Sequence, residues 1–402
     1  MDFNTIYFTS KDDSISGTSQ RDPLGLQPIW SYYGRKVINH LTTISTTIHG
    51  FREVLLCLSI CNEIKDCKKD ITFKDLILLF EQLFIYTAIS KEKKEGILGA
   101  DNGSVKYEKE KGNPTISSKD SETILVREIS LGYYGRYKTP LVTMGIINNK
   151  SEVIISLQQI KELFKDSYSE ILSDFEKFVK SDNRSFYSFQ GTEKLFEAVF
   201  GSFRETEKDF WLNRLYEYGG KKNVLTEECY EEIPNESNDN IRTIARNLFN
   251  SIPETKEVAN ILFLEPYLRC LEEVFYKAIN SKSISALKQF LTSEKLQIYK
   301  ERYEKFCLIE RPVDTSDLLI NRIDLLINDC KPTLDNYVEK VLEYHRIVCA
   351  QKKSSVWVEN SNGNLQSFVS VDNENIDLSE WGRDYYLSSL KSIKAEILEF
   401  SK

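Results

Sequence analysis

The residues best suited to touch a ligand fall in two short stretches that pair tyrosines with cations. The first is Tyr32, Tyr33, Gly34, Arg35 and Lys36; the second is Tyr133, Tyr134, Gly135, Arg136, Tyr137 and Lys138. Tyrosine faces stack on bases, while Arg and Lys neutralise phosphates. The glycine in each stretch lets a backbone approach closely. The chemistry expected here is non-covalent contact with nucleic acid. A protein interface, or core-facing tyrosines with snorkelling cations, would use the same residue types. Tyr32, Tyr33, Arg35, Lys36, Tyr133, Tyr134, Arg136 and Lys138 are therefore candidate nucleic-acid or partner contacts. The shared Tyr-Tyr-Gly-Arg reads as two similar local solutions, because nothing around it aligns.

Covalent and metal chemistry find no such foothold. Neither Gly17 nor Gly219-Gly220 has the spacing of a phosphate-wrapping loop ending in Lys and Ser or Thr, and no Gly-x-Gly-x-x-Gly follows a strand. The histidines are His40, His49 and His345, none paired at helical metal spacing. His345 and Cys349 sit four apart on an expected helix, but two ligands do not make a site. Short acidic-x-Lys pairs (Glu63/Lys65, Asp66/Lys68, Glu92/Lys94) read as solvated faces. The eight cysteines form no Cys-x-x-Cys pair and read as small thiols. No catalytic residue, cofactor or metal is expected.

The composition limits the remaining options. A net charge of −8 argues against a uniformly basic nucleic-acid binder and leaves room for a local basic patch. Hydrophobic content of 41% with 28% charged residues is ordinary for a water-soluble globular chain. Only 17 glycines and 9 prolines in 402 residues favour helices over a turn-rich β architecture. No apolar run resembles a signal peptide or a membrane helix, so a cytoplasmic location without membrane contact is expected.

The elements that must position these residues are expected to be mainly α, in a multi-helix architecture with a small C-terminal β-hairpin. Residues 1–21 read as a polar lead-in. Residues 22–150 read as an N-terminal helical domain organised around Asp22 to Leu58, where Ile29, Trp30, Tyr33, Val37, Ile38, Leu41 and Ile44 recur at helical steps. Gly50 marks an expected break there. Phe73 to Ser90 is a helix with Thr72 as its cap, and 96–119 a mobile loop punctuated by Gly112-Asn113-Pro114. Thr139-Pro140 has the form of a helix start. Helices continue through 151–222, an acidic connector spans 223–240, and 241–402 forms a C-terminal helical domain. Within it, 355–371 reads as a hairpin with Asn362-Gly363 at its turn. Asp377 to Glu380 has the form of a capping box for a last helix from Trp381 to Phe400. The helix–hairpin–helix order is compatible with a winged-helix-like element or with a hairpin capping a bundle.

Three pieces carry a resemblance. Asp22-Pro23-Leu24-Gly25 is followed by Ile29-Trp30, Leu41-Thr42-Thr43 and Gly50-Phe51 after His49. Gly96 to Ala100 leads, after a loop, into Leu131 to Ile146. His345 precedes the hairpin with Trp357, and Trp381 to Ile393 follows. This order resembles a loose group of uncharacterised bacterial proteins with an N-terminal D-x-L-G segment and a C-terminal W-x-x-x-Y-x-L-x-S-L helix, encoded beside antiphage or restriction genes. The resemblance implies a setting, a multi-gene defence complex, and no reaction. The expected function is a non-catalytic subunit that recognises DNA or scaffolds a nuclease or ATPase partner. The alternatives are a divergent metal-dependent nuclease with carboxylates from separated segments, and a structural adaptor without nucleic-acid contact.

Overall fold

The computed structural model describes residues 22–252, 254–313, 315–369, 371 and 376–401. The polar lead-in expected over 1–21 lies outside the described residues. The chain is mainly helical. Its first helices are α1 (Gln27–Val37), α2 (Ile48–Ile64), α3 (Phe73–Ser90), α4 (Ala100–Lys109), α5 (Glu128–Leu131) and α6 (Tyr133–Thr143). Next come α7 (Leu157–Lys180), α8 (Thr192–Phe200), α9 (Glu205–Tyr216), the strands β1 (Glu217–Tyr218) and β2 (Lys221–Lys222), α10 (Val224–Glu232) and α11 (Ile241–Ser251). The rest comprises α12 (Lys256–Ile279), α13 (Ile284–Phe290), α14 (Ser293–Phe306), α15 (Asp317–Asp329), α16 (Tyr337–Lys352), β3 (Val358–Ser361), β4 (Asn364–Ser367) and α17 (Leu387–Phe400).

The chain divides into two compact units. Unit 1 comprises Met1–Tyr33 and Phe249–Arg383; unit 2 comprises Gly34–Leu248 and Asp384–Lys402. The divisions fall inside α1 and α11.

Unit 1 is built on α12, which packs against α14 and α16 and buries Leu264, Tyr267, Leu268, Leu271 and Phe275. Thr255 caps it by accepting from Val258 N at 3.3 Å, which satisfies one of the open donors of the first turn. Tyr267 meets Phe306 at 4.8 Å between ring centroids and Tyr303 at 5.5 Å. The expected hairpin is present as β3–β4, antiparallel, with Ser361 opposite Asn364. Asn362 and Gly363 occupy its turn at φ 52° and 87°. Asn-Gly supplies this left-handed conformation cheaply. His345 pins two loops to α16: Nδ1 donates to Pro23 O at 2.9 Å, and Nε2 accepts from Trp357 N at 2.9 Å. Burial lowers its pKa, so it is a neutral structural residue.

Unit 2 is built on α2 and α3, both buried along nearly their whole length. Thr72 caps α3 as expected, in a reciprocal box with Asp75. Asp75 N donates to Thr72 Oγ1 at 3.2 Å, and Thr72 N donates to Asp75 Oδ2 at 2.9 Å. Edge-on aromatic pairs lock the neighbours on: Phe80 with Phe175 at 5.2 Å and Phe51 with Tyr137 at 4.8 Å. Such T-shaped pairs set the positive edge of one ring against the negative face of the other.

Several local expectations give way to tertiary packing. Gly50 does not break a helix; it lies inside α2, because a Cβ there would stand 2.3 Å from the Tyr137 ring, and only glycine admits that ring. The break falls instead in the threonine-rich segment 38–47. Thr139-Pro140 does not start a helix, since Pro140 sits in the last turns of α6, which begins at Tyr133. Much of the 96–119 segment is structured: α4 packs Gly103 against Ile85 and Ile89, and Ile116 is buried with its N–H donating to Arg184 O at 2.9 Å. The acidic segment 223–240 carries α10. The box at Asp377 closes only a turn; α17 starts later, where Asp384 accepts from Ser388 N at 3.1 Å.

Candidate nucleic-acid interface

Helical spacing divides the first tyrosine–cation stretch. Tyr33 is 1% exposed, and its hydroxyl donates to Glu310 O at 2.7 Å. Burial pushes its phenol pKa up. Tyr32 is half-buried, and its hydroxyl accepts from Val313 N at 3.2 Å. Both tyrosines belong to unit 1, while Arg35 and Lys36 belong to unit 2 and are exposed.

In unit 2 the last turn of α1 is closed by side chains from further along the chain. Asn223 Nδ2 donates to Lys36 O at 3.4 Å and Thr226 Oγ1 donates to Val37 O at 2.7 Å. These bonds satisfy carbonyls that a helix end leaves open. Arg35 and Lys36 stand at this end, where the helix dipole favours cations. The Arg35 guanidinium lies 5.9 Å from the Tyr386 ring centroid, within reach of the ring's negative face.

Asn223 also closes the β1–β2 hairpin, donating from its N–H to Tyr216 O at 2.6 Å. Glu217 pairs with Lys222 and Tyr218 with Lys221. Gly219 and Gly220 form the tip at φ +58° and +75°, and a Cβ on either would meet nothing within 4 Å. The tip therefore stands in solvent. Tyr218 is 52% exposed and both lysines are exposed. The hairpin base is held by His40, whose Nε2 donates to Glu217 O at 2.5 Å and whose Nδ1 lies 2.9 Å from Thr143 Oγ1. Burial lowers the His40 pKa, so this anchor is neutral. Lys222 Nζ lies 2.6 Å from Glu227. One side of unit 2 thus gathers Arg35, Lys36, Tyr218, Lys221 and Lys222 around Asn223.

The second stretch is used differently. Tyr133 is 2% exposed, its hydroxyl accepts from Leu98 N at 3.0 Å, and burial pushes its pKa up. Tyr134 bonds Ser151 Oγ through its hydroxyl at 2.7 Å, and its N–H donates to the buried Glu81 carboxyl. Tyr137 bonds Thr47 Oγ1 at 2.6 Å. Arg136 turns back to donate to Leu131 O at 3.2 Å, and Lys138 Nζ sits 5.3 Å from the Tyr134 ring centroid. Both cations are half-buried. The structure brings Arg35 and Lys36 together with the hairpin; it does not bring Tyr33 or Tyr133 to a surface.

No protein-family model, curated protein or solved structure matches this chain. Among the described residues, no three His, Cys, Asp or Glu side chains are arranged to hold a metal ion, and no helix is long and apolar enough to cross a membrane.

Tyr218, Lys221 and Lys222 do not stand out from the sequence. A signal was present: Gly-Gly between short flanking segments is a hairpin turn signature. It was obscured because strands of two residues carry no alternation to recognise.

Proposed function

We propose that this chain is a non-catalytic helical subunit of a bacterial antiphage defence assembly, and that unit 2 contacts DNA phosphates through Arg35, Lys36, Lys221 and Lys222. The observation that carries the DNA reading is the solvent-projecting β1–β2 hairpin, fastened by Asn223 beside the cationic end of α1. A local cationic patch on a chain of net charge −8 concentrates phosphate binding without general stickiness. The exposed Tyr218 adds a ring on which an unpaired base could stack. The defence setting rests on the resemblance of the D-x-L-G and W-x-x-x-Y-x-L-x-S-L segments. The same reading gives the chain a nuclease or ATPase partner, for which it supplies DNA contact or a scaffold. The alternative of a metal-dependent nuclease finds no set of converging ligands among the described residues.

The test is a titration of the full chain with labelled duplex and single-stranded DNA across a salt series, alongside pull-down with the products of neighbouring genes. Affinity that falls steeply with salt supports the DNA reading. Absence of DNA binding together with capture of a neighbour leaves the structural adaptor. Divalent-metal-dependent cleavage of the DNA would overturn the non-catalytic assignment.

A further inference from the structure

The core of unit 2 holds a set of carboxyl groups that play no part in DNA contact. Along α2, His49, Glu53, Cys57 and Cys61 recur every four residues and are all buried. Glu53 is 0% exposed, and neither of its oxygens has a hydrogen-bond partner. Glu81 on α3 is also 0% exposed. One of its oxygens accepts from Tyr134 N in the first turn of α6, and the other has no partner. Glu128 on α5 is 2% exposed; Oε2 accepts from Ile124 N at 2.7 Å and Leu125 N at 3.0 Å, and Oε1 has no partner. Gly132, between α5 and α6, is what lets Glu81 in: a Cβ there would stand 2.4 Å from its Oε2.

Among the described residues, none of the three carboxyls makes an ion pair. From α2 the neighbours are the Cys57 and Cys61 thiols, 3.9 Å apart, with the Cys57 pKa pushed up by burial. From α6 comes the Tyr133 phenol, and from α3 the Tyr86 phenol, both with pKa values raised by burial. His49 is engaged at the other end of the stripe, its Nδ1 3.2 Å from Glu396. The cation that acts on Glu128 is Lys106 of α4, whose ammonium donates to Thr115 O at 3.1 Å and Glu122 O at 2.9 Å. The cluster therefore holds unpaired carboxyl oxygens with no ion pair among the described residues; the donors near it are neutral, a partnerless Tyr86 phenol and the thiols. Burying unpaired carboxylates is prohibitive, whereas a protonated carboxyl is neutral and can donate to a neighbouring acceptor.

We propose that Glu53, Glu81 and Glu128 are a proton-loaded latch that holds the α5–α6 segment on α2 and α3, and that losing the proton releases the first turn of α6. Burial first, and then the neighbouring carboxyls, push Glu53 well above the usual carboxylate range. Burial pushes Glu81 up in the same way, and Glu128 to about 7. These groups bind protons more tightly folded than unfolded. Their contribution is fully present below the unfolded carboxylate value of about 4.3. It is lost as pH rises through the folded values, starting near 7 with Glu128. Charging Glu53 sets it against Glu81, which holds Tyr134 N, so the strain falls on the helix carrying Arg136 and Lys138.

The experiment is hydrogen–deuterium exchange of the full chain between about pH 6 and about pH 8.5, corrected for the intrinsic exchange rate, in wild type and Glu53→Gln. Glutamine has the shape of the protonated acid and stays neutral at every pH tested. The expected result is exchange in Tyr133 to Thr143 that rises at least about tenfold beyond the intrinsic rate in wild type, and much less in the variant. Equal pH dependence in the two proteins would overturn the latch. So would a gain in α6 protection when Mg2+ or Mn2+ is added to wild type but not the variant, since the cluster would then store a cation. If the variant does not fold, infrared titration of wild type decides. A protonated-carboxyl carbonyl band lost above neutral pH supports the latch, and its absence at about pH 6 overturns it.

Discussion

Tyr-Tyr-Gly-Arg occurs twice in unit 2 and its border, and the two copies are put to opposite uses. At the end of α1 the glycine admits the Tyr385 and Tyr386 rings, 3.2 Å from where its Cβ would be, and Arg35 stays exposed over Tyr386. At the start of α6 the glycine rests on backbone, a Cβ at 135 falling 2.1 Å from Ser130 O, and Arg136 folds back onto Leu131 O. The first copy sits at a helix C-terminus, where cations are favoured and can face outward. The second sits at an N-terminus, where the dipole and free N–H groups call for an acceptor, and Glu81 provides it. Position in a helix, more than residue identity, decides which copy offers its charges to a ligand.

The sharpest way to break this comparison is at the glycines. Gly135→Ala forces a Cβ into backbone that cannot move aside, so it should destabilise unit 2 by about 1–3 kcal/mol in denaturant unfolding. Gly34→Ala meets rings that can shift by a few tenths of an ångström and should cost below about 1 kcal/mol. Equal costs would mean that the two glycines do the same job.

The tyrosines sharpen it next. Tyr33→Phe and Tyr133→Phe each remove a buried hydroxyl that is bonded to backbone, at 2.7 Å to Glu310 O and 3.0 Å from Leu98 N. Each should cost about 1 kcal/mol in thermal unfolding, as expected for structural hydrogen bonds, and leave DNA affinity unchanged. A loss of affinity without a loss of stability would return these rings to the binding surface.

The helical class, the Thr72 cap and the Asn362-Gly363 hairpin were legible in the sequence because each depends on neighbours along the chain. Gly50, Pro140 and Asp377 were misread because their conformations are set by distant partners or by a competing cap. The Tyr137 ring fixes Gly50, and Asp384 starts α17 in place of Asp377. The candidate site was half legible. Arg35 and Lys36 lie in a recognisable cluster, whereas Lys221 and Lys222 join them only through Asn223, 187 positions from Lys36. The buried acids left a fainter trace, since Glu81 is a lone charge within Leu-Leu-Phe-Glu-Gln-Leu-Phe and Glu53 precedes Val-Leu-Leu-Cys-Leu. A single acid in such a run marks a charge that must be paired or protonated.

Smaller effects follow for the exposed cations. Alanine at Arg35, Lys36, Lys221 or Lys222 should change stability by no more than about 0.5 kcal/mol each. A larger loss at Lys222 would show that its pair with Glu227 holds the hairpin.

The most direct test of the interface compares two multiple variants in DNA binding across a salt series. One replaces Arg35, Lys36, Lys221 and Lys222 by Ala; the other replaces Arg136 and Lys138 by Ala. The account predicts that the first loses affinity on all sequences and flattens the salt dependence, by up to about 0.9 in slope per lost duplex phosphate contact. The second should keep the wild-type slope. A flattened slope in the second variant with a wild-type slope in the first would contradict the account, because the phosphates would then be met at α6.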